Sequence, residues 1–139
     1  MQSIIKISDA AAIAIHAADY LAGREADLSS AAAMAKALAV SYNHLSKVLQ
    51  QLTRAGLVTA ARGPKGGFAL SAAGKSARVR DFIAAVDGPP VMNTCLLKHK
   101  VCAARQCIFG DFLGETGKRF EKVLNGRIYE IAKRGIGKN

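Results

Sequence analysis

The stretch from Ser41 to Gly67 constrains the fold most: an amphipathic helix that runs directly into a glycine-rich basic turn. Ser41 is a residue type that caps helix N-termini and Gly56 one that ends helices, so a helix is expected from Ser41 to about Ala55. Leu45, Val48, Leu49 and Leu52 fall at i, i+3, i+4 and i+7 and form a core stripe. Tyr42, Asn43, Ser46, Lys47, Gln50 and Arg54 project elsewhere, and each can form hydrogen bonds. After Gly56, Leu57–Ala61 and Phe68–Leu70 read as two strands around Arg62-Gly63-Pro64-Lys65-Gly66-Gly67. Glycines permit the positive φ of tight turns there, and Pro64 presets its own φ.

Upstream, Ser8 opens a helical pattern through Ile13, Ala17 and Leu21 that ends near Gly23. Ser29 or Ser30 caps a short helix reaching Leu38, and Ala39–Val40 is a tight connection. A helix-turn-helix followed at once by a basic hairpin is a winged helix, in which the third helix enters the major groove. The wing then reaches phosphates or the adjacent minor groove. Downstream, Val79–Val86 forms a short helix stopped by Asp87-Gly88-Pro89-Pro90. From Ile108 a long helix is expected to run to about Ala132, with Phe109, Phe112, Leu113, Phe120, Val123, Leu124 and Ile131 apolar at helical spacing. It would span roughly 35–40 Å, too long for so small a body to bury, and is read as packing partly on a second copy. The expected fold is mainly α with a small β-hairpin wing: a winged helix-turn-helix domain over residues 1–88, a cysteine loop over 89–107, and a dimerisation helix with a basic tail over 108–139.

Charge narrows the partner. Lys and Arg outnumber Asp and Glu 20 to 10, giving a formal net charge of +10, which points to nucleic acid before an anionic membrane. No apolar run is long enough to span a bilayer, and Ala10–Ala22, interrupted by His16 and Asp19, reads as an amphipathic helix rather than a signal peptide. The expected partner is a double-stranded DNA operator. Tyr42, Asn43, Ser46, Lys47 and Gln50 are the candidates for base-edge or nearby backbone contact, with Arg62 and Lys65 on the wing. His44 lies one step from the core stripe and His16 is placed at the core edge. The glycine-rich turn lacks the Gly-Lys-Ser/Thr signature of a nucleotide-binding loop.

All three cysteines, Cys95, Cys102 and Cys107, lie in one short basic stretch. An odd number cannot pair off as internal disulfides, and without a leader they fit a reducing cytosol. Such clustering points to metal, an iron–sulfur cluster or redox sensing. Lys98, His99, Lys100 and Arg105 would offset an anionic cluster, and Cys107 is expected immediately before a helix. Two other chemistries stay open: a metal-free thiol–disulfide switch, and structural zinc on Cys95, His99, Cys102 and Cys107. An enzyme using these thiols would show a Cys-x-x-Cys pair or a paired base; the sequence has no such pair, and catalysis is not expected.

Ser41-x-Asn-His-Leu-x-Lys-Val48, Leu52 with Gly56, and Arg62-Gly63-x-x-Gly66-Gly67 resemble the IscR/NsrR-type bacterial repressors of the Rrf family, over nearly the whole chain from Ser8 to about Ala132. The resemblance implies a homodimeric winged-helix repressor at a palindromic operator, with an iron–sulfur cluster on three loop cysteines that senses nitric oxide, redox or iron–sulfur status. Asn43-His44-Leu45 and Lys47-Val48 look most like the nitric-oxide-sensing members. The cluster-assembly members hold a 2Fe–2S cluster with a histidine three residues past the third cysteine, where this chain has Gly110. The nitric-oxide sensors hold a 4Fe–4S cluster completed by an aspartate near the start of the partner's first helix. Asp9 matches that position, with Asp111 a weaker candidate ligand. The cysteine spacing departs from the family's even pattern: six residues separate Cys95 from Cys102 and four separate Cys102 from Cys107.

Overall fold

A computed structural model describes residues 5–24, 27–99, 101–102 and 107–136. Its first half is a helix-turn-helix held by serine caps. Helix α1 (Asp9–Ala22) starts where the Ser8 hydroxyl accepts the Ala11 amide, and ends at Gly23. Its buried face is largely alanine: Ala11, Ala14, Ala17 and Ala18 are fully inaccessible. Small side chains let neighbouring helices approach closely, and α1 becomes the central helix of the fold. Helix α2 (Ala31–Leu38) is capped by Ser30, which decides between the two serines. The tight connection at Ala39–Val40 exists as expected, with Ala39 in the left-handed region at φ 54°.

Helix α3 (Tyr42–Arg54) has Ser41 at its N-cap and Ala55 at its C-cap, with Gly56 at φ 79° just beyond. All four stripe leucine and valine positions are buried, as their spacing requires. Strands β1 (Val58–Ala61) and β2 (Gly67–Leu70) pair antiparallel, Val58 opposite Leu70 and Ala61 opposite Gly67. The amide and carbonyl of Phe68 exchange hydrogen bonds with Ser29, at 2.8 and 3.0 Å. A single residue of the α1–α2 connection thereby acts as a third strand and fastens the wing to the body. Gly67 makes this possible, since a Cβ there would stand 2.6 Å from the Ser29 carbonyl oxygen.

A five-residue helix that the sequence pattern did not announce, α4 (Ala72–Ser76), follows the wing. Ser71 caps it through the Gly74 amide while donating its hydroxyl to the Gly56 carbonyl at 2.5 Å. Helix α5 (Val79–Asp87) buries Phe82 and Ile83 and stops at Gly88, before the two prolines.

The expected single long helix is two. Helix α6 (Phe112–Leu124) ends at Asn125, and helix α7 (Ile128–Ile136) starts after a turn at Gly126. The Gly126 carbonyl accepts the Val79 amide at 2.9 Å, and Arg78 bridges Arg127. These bonds hold the turn against the start of α5. A Cβ at Gly126 would also meet the Ile131 side chain at 2.9 Å. The chain then folds α7 across α1, burying Leu124, Ile128 and Ala132 in the common core. Asn-Gly was the stop signal inside an apolar periodicity that continued through it. Thus α6 spans only about 20 Å. No described helix is long and apolar enough to cross a membrane.

Candidate nucleic-acid interface and cysteine segment

Helix α3 presents its polar face outward. Tyr42, Asn43, Lys47, Gln50 and Arg54 are exposed, and Ser46 is half-buried. His44 is half-buried too, in keeping with its place beside the core stripe. Because Leu45, Val48, Leu49 and Leu52 are locked in the core, the polar face cannot rotate inward without exposing them. Lys47, Gln50, Gln51, Arg54 and His44 line a cleft against Ala10 at the start of α1. Gln51 was missing from the sequence-derived set; its position one step from Gln50, on the flank of α3 that meets α1, is the signal that could have found it. On the wing, Gly63 and Gly66 close a turn by a 2.9 Å backbone hydrogen bond, with Pro64 and Lys65 between them. Arg62 and Lys65 are exposed there. Helix face and wing therefore offer cationic and hydrogen-bonding groups from two connected elements.

The second candidate site is the segment between α5 and α6. Cys95, Cys102 and Cys107 are free thiols, each half-buried. Among the described residues no three of His, Cys, Asp or Glu come together as a metal-binding group. One chain therefore does not gather the three cysteines with His99, Asp9 or Asp111 into a ligand set. His99 and Lys98 are exposed; Lys100 and Arg105 lie outside the described residues. Cys107 does not abut a helix as expected. Its carbonyl accepts the Gly110 amide at 2.8 Å in a turn, and α6 begins only at Phe112. Gly110, where the resemblance would place a histidine, adopts φ 58° with open space around it, a conformation that favours glycine.

Asp9 is exposed in the first turn of α1. The neighbouring Ser8 hydroxyl donates to the Asp87 carboxylate, 2.7 and 2.6 Å from its two oxygens. The start of α1 and the root of the cysteine segment are thus bonded to each other. Asp111 sits at the N-cap of α6 but makes no capping bond. His16, expected at the core edge, is exposed, its Nδ1 donating to the Ala12 carbonyl at 2.6 Å.

The run into α6 carries apolar side chains in the open. Ile108 is 99% exposed, and Phe109 and Phe112 lie with ring centroids 6.3 Å apart. On the far flank of α6, Val123 is 56% and Ile131 of α7 46% exposed. They line an apolar groove with Ile15, Val79, Phe120 and Ile128.

A helix-turn-helix, a two-stranded wing and a following cysteine segment define a winged-helix transcriptional regulator. Residues 7–130 match the family model Rrf2, described as an iron-dependent transcriptional regulator, and the chain belongs to that family, whose members are regulators and not enzymes. The chain is 30% identical over 86 residues to the HTH-type transcriptional regulator IscR of Vibrio campbellii, and equally to that of Vibrio parahaemolyticus. Each match covers 62% of this chain and 51% of the relative, about half the length of those proteins. Among solved structures, the fold is similar to CymR, the global cysteine regulator of B. subtilis, with a TM-score of 0.72, 22% identity, and coverage of 93% of this chain and 97% of that one. It is also similar to T. potens IscR (TM-score 0.67, 21% identity, covering 94% of this chain and 88% of that one) and to the oxidized form of Staphylococcus aureus CymR (TM-score 0.67, 20% identity, covering 91% and 95%).

Proposed function

We propose that this chain is a homodimeric, cytoplasmic DNA-binding repressor whose operator affinity is set by the state of Cys95, Cys102 and Cys107. The observation that carries this reading is the outward polar face of α3, fixed by its buried stripe and joined to an exposed cationic wing. Tyr42, Asn43, Ser46, Lys47 and Gln50 approach bases and nearby backbone in the major groove, and Arg62 and Lys65 approach phosphates or the minor groove. A second copy covers the exposed apolar side chains of α6 and spaces two reading heads along a palindromic operator. With a net charge of +10, phosphate neutralisation dominates affinity and makes it steeply salt-dependent.

The donor chemistry suits an iron–sulfur cluster: three free, accessible thiols, with a carboxylate available at the start of α1. Of the two cluster types, 4Fe–4S is favoured over 2Fe–2S because Gly110 removes the histidine. Cys95, Cys102 and Cys107 would be the thiolate ligands, and Asp9 of the partner subunit the oxygen ligand. When bound, such a group supplies a centre sensitive to nitric oxide, redox state or cluster supply. The protein's part is to hold the thiols and to let their arrangement move the segment between α5 and α6. Among the described residues the thiols are not gathered into one metal-binding group, so their arrangement would have to change for them to hold such a cluster. A second reading is a metal-free thiol–disulfide switch: all three thiols are free, and the fold is similar to that of the B. subtilis cysteine regulator and of the oxidized form of S. aureus CymR. A zinc site of three cysteines and His99 is the third.

Anaerobic purification with iron, sulfide and zinc analysis, and visible absorption before and after nitric oxide, separates the three. Iron and sulfide with a bleachable absorption band are expected. Zinc at one per chain without sulfide would replace the cluster by a structural metal, and neither metal nor sulfide would leave the thiol switch.

A further inference from the structure

We propose that Met92 is the positioning residue through which the cysteine segment acts on both the reading head and α6. This rests on the reading of that segment as the control input, whichever chemistry its thiols perform. Met92 stands three positions before Cys95 and touches two separate elements. Its backbone pairs antiparallel with Ile5, just ahead of α1. Its side chain lies over Gly117 in the middle of α6, where an added Cβ would be 3.3 Å from the Met92 sulfur and 3.5 Å from its terminal methyl carbon. Around it, Val91, Leu96, Leu97 and Val101 are all exposed, whereas Met92 is half-buried. Among the described large apolar side chains of residues 91–101, Met92 alone is seated against the body.

Each contact leads to a stiff element. The Ile5 pairing and the Ser8–Asp87 bonds fasten the segment to the first turn of α1. That helix packs against α3 through an alanine face with no slack, so a shift at its start is passed on rather than absorbed. The Gly117 contact leads to α6, whose far end Arg80 clamps to α5. Its guanidinium donates to Glu121 at 2.6 Å and to Asn125 at 3.0 Å. Withdrawing or turning Met92 therefore changes the entry angle of α1 and the seat of α6 together. A thioether side chain suits this role because it refills an irregular gap as its surroundings shift.

The glycines of α6 provide the test. An Ala at position 114 meets nothing within 4 Å, whereas one at 117 crowds Met92; both gain the same helix propensity. The readout is the ratio of affinities of the full-length chain for a duplex selected by the protein from a random pool. It is measured in the two thiol states, loaded against stripped or reduced against oxidised, that change wild-type affinity. Gly117→Ala and Met92→Ala are expected to cut that ratio by about 2-fold or more, at most down to one, with Gly114→Ala at the wild-type value. In a Met92→Ala background, Gly117→Ala should add nothing. A wild-type ratio in Met92→Ala, while a chain with Cys95, Cys102 and Cys107 all changed to Ser has lost its response, overturns the junction alone. A response that survives in the triple-Ser chain, or a wild type indifferent to thiol state, overturns the control reading and the junction with it.

Discussion

The reading head and the cysteine segment are built on opposite terms. From α1 to β2, each helix has a serine cap with a bonded amide, the core side chains are sealed, and the wing is fastened to the body by paired backbone bonds. From Val91 to Phe112 the described large apolar side chains other than Met92 are exposed, the helix that follows has no side-chain capping bond, and three thiols stand without disulfides. The first region is complete within one chain. The second leaves apolar side chains and thiols exposed or half-buried, which suits the control role proposed for it, since an element that must switch is drawn from the less stable part of a fold.

Substitutions placed in matching pairs can break that contrast. The largest difference is expected between Phe82→Ala, which empties a fully buried site in α5 and should cost about 3–5 kcal/mol, and Cys95→Ser, which should stay within about 0.5 kcal/mol in the metal-free chain. Chemical denaturation of metal-free protein measures both; equal losses would mean that the segment is part of the core. Next, Asn43→Ala or Gln50→Ala should relax base preference by about 1–3 kcal/mol per lost contact in competition binding across operator variants. The metal-free triple-Ser chain should keep the wild-type ranking of sites. Unchanged ranking in both α3 variants would remove that helix from the groove.

Smaller effects compare the helix starts. Ser30→Ala removes a 3.1 Å bond to the Ala33 amide and should cost roughly 1 kcal/mol. Asp111→Ala, at an N-cap that makes no such bond, should change thermal stability by less than about 0.5 kcal/mol. A larger loss at Asp111 in the metal-loaded dimer than in the metal-free chain would promote it from bystander to ligand.

What could be read in advance follows the same division. Local signals specify the head: Ser8, Ser41 and Gly56 mark helix ends, and the stripe from Leu45 to Leu52 orients α3, because caps and periodicity act within a few residues. Only α4 escaped, being too short for a periodic pattern. In the C-terminal third the sequence pattern predicts one helix where the structure breaks at Asn125-Gly126. Apolar spacing carries through the break, and the bond from Val79 to the Gly126 carbonyl that holds the turn comes from a distant part of the chain. The expected helix directly after Cys107 fails for the same reason, since the turn at Gly110 interrupts an apolar run that continues through it. The cysteines themselves are plain in the sequence. Their mutual geometry is not, because among the described residues they form no common group with a histidine or carboxylate and no periodic or capping signal fixes the segment that carries them.

The most direct measurement is the affinity of the anaerobically purified protein for its selected DNA duplex, before and after the cysteine segment is stripped or oxidised, beside the chain with all three cysteines changed to Ser. The expected result is a wild-type affinity that differs by about 5-fold or more between the two states, and a triple-Ser chain whose affinity is the same in both. Equal wild-type affinities in the two states, or a triple-Ser chain that responds as the wild type does, would contradict control by Cys95, Cys102 and Cys107.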